Sequence, residues 1–171
     1  MSRRKKPQAP GGPFEIRIHD LTHEGVGVAR QPDGKALFIP DTLPGEQVRY
    51  LRTQRGRDYD QGQLLEVLEP AAGRVRPQCP HFGYCGGCSL QHLDASAQVE
   101  FKQRWLLDNL SRIGKLQPET VLPPLTGPVW GYRRRARLSV RHVFRKGRVL
   151  VGFRERETPI VAVLDACEVL D

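Results

Sequence analysis

Apolar and polar residues alternate from Phe14 onward, with Phe14, Ile16 and Ile18 on one side and Glu15, Arg17 and His19 on the other. A period of two is the pattern of a half-buried strand. Gly25 to Ala29 predicts a second strand, Gln31 to Gly34 its turn, and Ala36 to Ile39 a third strand. After a turn at Asp41 to Gly45, Val48, Tyr50 and Arg52 begin a fourth strand, the polar run Thr53 to Gln61 forms a loop, and Gln63 to Leu68 completes a fifth. Five short strands with turn-rich joints suit a small closed barrel of the oligonucleotide-binding kind, which removes its own exposed edges. Gly25 and Gly27 act here as bend or bulge positions, because this Gly-x-Gly lacks both the third glycine and the following helix of a dinucleotide fingerprint.

The period changes after a linker at Pro70 to Pro77. Val99, Leu106, Leu110 and Ile113 recur at helical spacing, Asp94 is placed to cap the start and Gly114 to end it, so one long helix is predicted over about 94–114. Phe101 and Trp105 widen its apolar surface; a stripe this broad is usually core, and in a chain this small the alternative is that part of it faces a partner or a further domain. Four prolines between Pro118 and Pro128 break the chain again. Alternation then returns: Ala136, Leu138 and Val140 would be buried, with Arg135, Arg137, Ser139 and Arg141 opposite them. Lys146-Gly147 predicts a hairpin turn, Val149 to Phe153 the returning strand, and Ile160 to Leu164 a third. The fold class is therefore mostly β (α+β), in three parts: a disordered basic tail over 1–13, a barrel domain over 14–74 and a β-rich domain with one helix over 75–171.

The formal net charge of +8 changes the picture through its distribution. Gly131 to Leu150 holds eight basic residues and no acidic one, whereas the first 74 residues are nearly balanced, with 12 basic against 10 acidic. Such a run favours an acidic partner, and nucleic acid leads because the chain has no basic amphipathic helix for a membrane surface. Arginines spaced along one strand face would stand about 7 Å apart, comparable to successive phosphates. Arg52, Arg55, Arg57 and Tyr59 add guanidinium groups and a ring suited to phosphate contact and base stacking; a solvated loop neutralised by Asp58 and Asp60 is the plainer alternative. No stretch approaches the roughly 18 apolar residues of a membrane span, and Gln8 to Pro13 supplies Pro and Gly where a signal peptide needs an apolar core, so a cytoplasmic protein is expected.

Three of the four cysteines, Cys79, Cys85 and Cys88, fall within ten residues; Cys167 follows after 78 intervening positions. Thiolates this close suit a shared metal centre better than disulfides, since Cys85 and Cys88 are too near for an ordinary staple. Four thiolates serve either tetrahedral zinc or an iron–sulfur cluster, and three clustered cysteines with one distant one tilt toward the cluster. His81 and His92 are nearby alternatives as zinc ligands, with an ordinary packing or supporting role as the plainer reading of each.

Taken together, Gly25-Val26-Gly27-Val28-Ala29, the segment from Phe38-Ile39-Pro40 to Pro44-Gly45-Glu46, the run Cys79 to Leu93, and Gly131-Tyr132-Arg133-Arg134-Arg135-Ala136-Arg137 closely resemble the amino-terminal part of bacterial RNA (uracil-5)-methyltransferases, most similarly the type acting on 23S rRNA. The resemblance runs from about residue 14 to the last residue, and the cysteine block is its most specific element. It implies a TRAM domain, an OB-like RNA-binding barrel, followed by a central domain whose [4Fe-4S] cluster is held by Cys79, Cys85, Cys88 and Cys167. It implies contact with 23S rRNA, rather than DNA or membrane; charge and spacing make Arg52, Arg55, Arg57, Tyr59, Arg133, Arg135, Arg137 and Arg141 the candidate contacts, and a monomer is expected. The family's catalytic unit is a Rossmann-like domain that binds S-adenosylmethionine and carries a cysteine nucleophile and a general base. No Gly-rich cofactor loop is present, and no cysteine remains once four serve the cluster, so the chain alone is expected to be inactive and to bind no S-adenosylmethionine. A standalone, non-catalytic RNA-binding module with a structural metal is the rival, and a zinc-stabilised protein-interaction domain is a third possibility.

Overall fold

The computed structural model describes residues 11–156 and 158–171. The chain divides into two compact units, one ending at Arg74 and the other beginning at Val75. The architecture is mostly β with one long helix, as expected.

The first unit is a six-stranded sheet. Its strands are β1 (Gly11–Arg17), β2 (Asp20–Leu21), β3 (Val26–Arg30), β4 (Ala36–Pro40), β5 (Gln47–Arg55) and β6 (Tyr59–Glu69). They lie in the order β1-β5-β6-β4-β3-β2. All pairs are antiparallel except β4 with β6. Only Ile18 and His19 separate β1 from β2. The Ile18 amide donates to Glu46 at 2.9 Å and the His19 amide to Val28 at 3.0 Å, so one bent run of chain joins both ends of the strand order. Alternation buries Ile18, Ala29, Leu37, Ile39, Val48 and Tyr50 as one core, with Ile16, Leu64 and Val67 packed on it. Gly27 lies so close to Thr42 that a Cβ would stand 1.9 Å from the hydroxyl oxygen, which supports its structural role. Gly25 turns the chain with φ of 82°.

Two boundaries differ from expectation. The predicted loop Thr53 to Gln61 shrinks to residues 56–58, because β5 and β6 continue to Arg55 and Tyr59. Thr53, Gln54 and Arg55 are all exposed, so the strand end carries no apolar alternation to reveal it. The tail expected over 1–13 lies outside the described residues as far as residue 10, but Gly11 to Pro13 already belong to β1.

The second unit holds α1 (Ala95–Arg112) and a two-stranded sheet of β7 (Ser139–Val143) and β8 (Arg148–Gly152). Asp94 caps α1 as predicted, its carboxylate accepting from the Ser96 amide at 2.9 Å. Phe101 is the buried residue of the helix, while Trp105, Leu106 and Ile113 remain exposed. Gly147 closes the β7–β8 turn with φ of 59°. The strand expected through Ala136, Leu138 and Val140 starts only at Ser139, and all three apolar residues are exposed. The strand expected at Ile160 to Leu164 is reduced to an isolated bridge between Arg154 and Val161. Residues 135–138 and 160–164 find no continuous ladder among the described residues, and alternation alone does not make a strand.

Candidate metal centre and nucleic-acid interface

Short backbone bonds shape the cysteine run. The Phe82 amide donates to Cys79 at 3.2 Å, the Tyr84 and Cys85 amides donate to His81 at 3.2 and 2.8 Å, and Gly83 turns the chain with φ of 85°. The run is pinned to a distant segment just after β8, with Gly86 donating to Arg154 at 2.8 Å and Arg156 to Tyr84 at 3.1 Å. Cys167 is placed from another direction: Gly131 and Arg133 donate to Glu168 and Val169 at 2.9 and 3.0 Å. These ties bring all four cysteines to the wall of one pocket, of about 410 Å³ including its open mouth, with Phe82, Phe153, Leu164 and Val169 among the apolar lining.

All four thiols are free; Cys85 is buried and the others half-buried. Burial raises the Cys85 pKa, and Cys88, Cys167 and Cys79 raise it further by mutual repulsion, against the opposing hydrogen bond from the Gly87 amide. That bond spans 3.4 Å to Sγ. A cationic centre would reverse the balance by holding the thiolates. The glycines beside Cys85 let the distant segment approach closely. A Cβ on Gly86 would stand 2.9 Å from the Arg154 carbonyl, and one on Gly87 would stand 3.1 Å from the Phe153 ring and 3.4 Å from the Cys85 sulfur. The thiols share the pocket without closing round a single point: among the described residues, no group of three or more His, Cys, Asp or Glu has the arrangement to hold one metal ion. His81 also lines the pocket, whereas His92 is buried with its ring 5.4 Å from Phe82.

The residues expected to contact RNA divide between the two units. Arg52 is largely occupied: it donates to Gln31 at 3.0 Å, lies 3.4 Å from Asp60 and stacks 5.2 Å over Phe14. Asp60 is no solvated neutraliser but the buried hub of that cluster, accepting from Gln31 at 3.1 Å, Lys35 at 3.3 Å and the Gly56 amide at 3.1 Å. Burial alone would raise its pKa, and the bonds from Gln31, Lys35 and Gly56 overcome this and hold it below the usual carboxylate range. Arg55 and Arg57 are exposed at the turn, and Tyr59 begins β6 with 47% of its surface exposed. In the second unit, Arg133 is half-buried, lines the cysteine pocket and lies 5.8 Å from the Tyr132 ring. Arg135 and Arg137 are exposed outside any strand, and Arg141 sits in β7 opposite Leu150. The evenly spaced arginine ladder therefore does not form.

The sequence pattern had also left Phe38 out of the candidates. Its outward position between buried Leu37 and Ile39 follows from the same alternation that located the core.

Residues 8–49 match the TRAM domain family. The chain is 54% identical over 168 residues to the 23S rRNA (uracil(1939)-C(5))-methyltransferase RlmD of Alkalilimnicola ehrlichii, covering 98% of this chain and 38% of that protein. It is 54% identical over 157 residues to the RlmD of Xanthomonas oryzae pv. oryzae, covering 91% and 35%. The chain is thus similar to the TRAM family over that stretch and to an amino-terminal portion of these methyltransferases. It spans little more than a third of their length. The crystal structure of the Pyrococcus abyssi tRNA (uracil-54, C5)-methyltransferase in complex with S-adenosyl-L-homocysteine is similar as well, with a TM-score of 0.57 and 26% identity, covering 91% of this chain and 32% of that one. The TRAM match falls on β1 to β4 and the first residues of β5. Among the described residues no helix is long and apolar enough to cross a membrane.

Proposed function

We propose that this chain is the RNA-recognition and iron–sulfur portion of a 23S rRNA (uracil-C5)-methyltransferase, acting as a cytoplasmic monomer that docks RNA for a catalytic domain elsewhere in the enzyme. The observation that carries the cluster assignment is the convergence of Cys79, Cys85, Cys88 and Cys167 on one largely apolar pocket from two distant parts of the chain. A zinc ion needs four sulfurs about 2.3 Å from one point. An iron–sulfur cluster takes its cysteines at separate irons, which suits thiols that share a wall without meeting. When bound, a [4Fe-4S] group supplies a cross-link and, with four cysteine ligands, no open position for substrate. The chain's own residues would hold it: Gly86 lets the backbone of residues 154–156 pack against the cysteine run, Gly87 lets the Phe153 ring and the Cys85 sulfur approach, the Gly87 amide donates to the Cys85 sulfur, and Phe153, Leu164 and Val169 would limit water.

The first unit acts as a five-stranded OB-like barrel, with β1 and β2 serving as one bent strand, and offers Arg55, Arg57 and Tyr59 to RNA. Arg135, Arg137 and Arg141 add phosphate contacts from the second unit, while Arg52 and Arg133 have structural partners that limit their part in binding. S-adenosylmethionine belongs to the full-length enzyme, and this chain alone methylates nothing. Replacing Cys85 by Ser should lower bound iron and acid-labile sulfide from four of each per chain to a minor fraction after anaerobic purification. Full occupancy in that variant would remove Cys85 as a ligand.

A further inference from the structure

We infer that the outer face of β3, β4 and β6 is a stacking platform for an unpaired RNA base, built on Tyr59 and Phe38. The placement follows from burial and register. Leu37, Ile39, Ala29 and Asp60 face the interior, so their neighbours in the same strands face out. Cα partners across the sheet share a face, which gives two outward rows: Arg30–Ala36–Tyr59, and Val28–Phe38–Gln61. Tyr59 is braced by Phe38 at a centroid distance of 5.3 Å and an interplanar angle of 85°, yet keeps 47% of its surface exposed. Ala36, between Arg30 and Tyr59, leaves the row low at its centre, and Val28 extends the apolar floor. A ring held rigidly over a shallow apolar floor can stack a flat base, and every base has a face to offer.

Charge selects the occupant. Arg30 ends one row, and Arg55 and Arg57 lie at the adjoining turn with Asp58 as the acidic residue among them. Cations around an exposed aromatic pair suit a stacked base with its phosphates better than an apolar peptide. The platform rests on the RNA-recognition role proposed above and assigns the base contact within it.

The test uses the whole 171-residue chain, purified anaerobically, and a labelled single-stranded oligoribonucleotide read by fluorescence anisotropy. The strand would be about 12 nucleotides long. Tyr59→Ala and Phe38→Ala should each weaken binding by about five-fold or more. Tyr59→Phe should bind like the parent, and Tyr59→Ala should keep the parent's dependence on salt, since no phosphate contact is lost. In a series of strands each lacking one base, at least one gap should weaken the parent and leave Tyr59→Ala unaffected. Parent-like affinity in Tyr59→Ala, with parent-like circular dichroism, would overturn the platform while leaving RNA recognition standing. Equal losses in Tyr59→Phe and Tyr59→Ala would also overturn it, because the contact would then be the hydroxyl. If the parent binds no RNA, both inferences fall.

Discussion

Replacing Arg74 by Met should destabilise the first unit far more than its partly exposed position suggests. Glu46 is fully buried, and its carboxylate accepts from the Leu43 amide at 2.9 Å, the Ala71 amide at 3.3 Å, Arg74 Nη2 at 2.9 Å and Arg74 Nε. Arg74 also donates to the Asp41 carbonyl at 2.7 Å, so one guanidinium ties the end of the unit to the turn after β4. Its removal strands a buried charge, which costs about 3–5 kcal/mol. A natural unit of this size has roughly 3–10 kcal/mol in total, so the loss takes a large share of its stability. Glu46→Gln with Arg74→Met leaves no buried charge and keeps an amide oxygen for one of the two backbone donors, which bond different carboxylate oxygens. The double variant should therefore be less destabilised than the sum of the two single ones by about 2 kcal/mol. Both tryptophans, Trp105 and Trp130, lie in the second unit, so their emission in urea follows that unit while far-ultraviolet circular dichroism also reports the first. An Arg74→Met loss below about 1 kcal/mol, or strict additivity in the cycle, would refute the reasoning.

The Asp60 cluster should give the first unit an acid limit. Its folded pKa lies below the unfolded value, so its contribution is present above the unfolded pKa and disappears as pH falls through the lower, folded one. The stability difference between the parent and Asp60→Asn should thus shrink below about pH 4, which urea titrations at several pH values would measure. Gly27→Ala should lower the first unit's stability by about 1–3 kcal/mol through the clash with Thr42. Thr42→Ala in the same chain removes the clashing oxygen, and thermal melts should show partial recovery of the midpoint.

Alternation and turn residues located the main strands of the first unit, because a core fed from one sheet imposes a period of two: Ile18, Val48 and Tyr50 are buried as it requires, and Phe14 at the start of the first strand stays exposed. Alternation failed where strands run past the core, as at Thr53 to Arg55, since nothing there distinguishes one face from the other. It also failed for charge. Asp60 and Glu46 look like surface residues in the sequence, and pairing with Lys35 and Arg74, together with the hydrogen bonds each accepts, makes their burial tolerable. Arg74 falls in the stretch that proline content marked as a linker, although its amide and side chain are both bonded. The cysteine grouping was legible from spacing because three of the four are local in sequence. The contribution of Gly86 and Gly87 to the pocket was not, since it depends on Arg154 and Phe153 arriving from far along the chain.

The second unit shows why such a grouping would matter beyond its chemistry. Its buried apolar side chains are few, Phe101, Val161, Ala162 and Val169 with Cys85, while α1 and the hairpin expose Trp105, Leu106, Ile113, Val140 and Phe144. Residues 111–129 are exposed throughout. A core this thin does not by itself offset the entropy of ordering the chain. Joining Cys167 to the Cys79–Cys88 run closes a loop of 78 intervening residues, a constraint on the order of 4 kcal/mol by chain entropy. Under the proposed assignment, removing iron with a chelator under reducing conditions should abolish the urea transition seen by tryptophan emission. The first unit, with its own core and ion pairs, should keep its strand signal. A tryptophan transition at the same urea concentration before and after iron removal would mean that apolar packing alone holds the second unit, and that the thiols have no part in its folding.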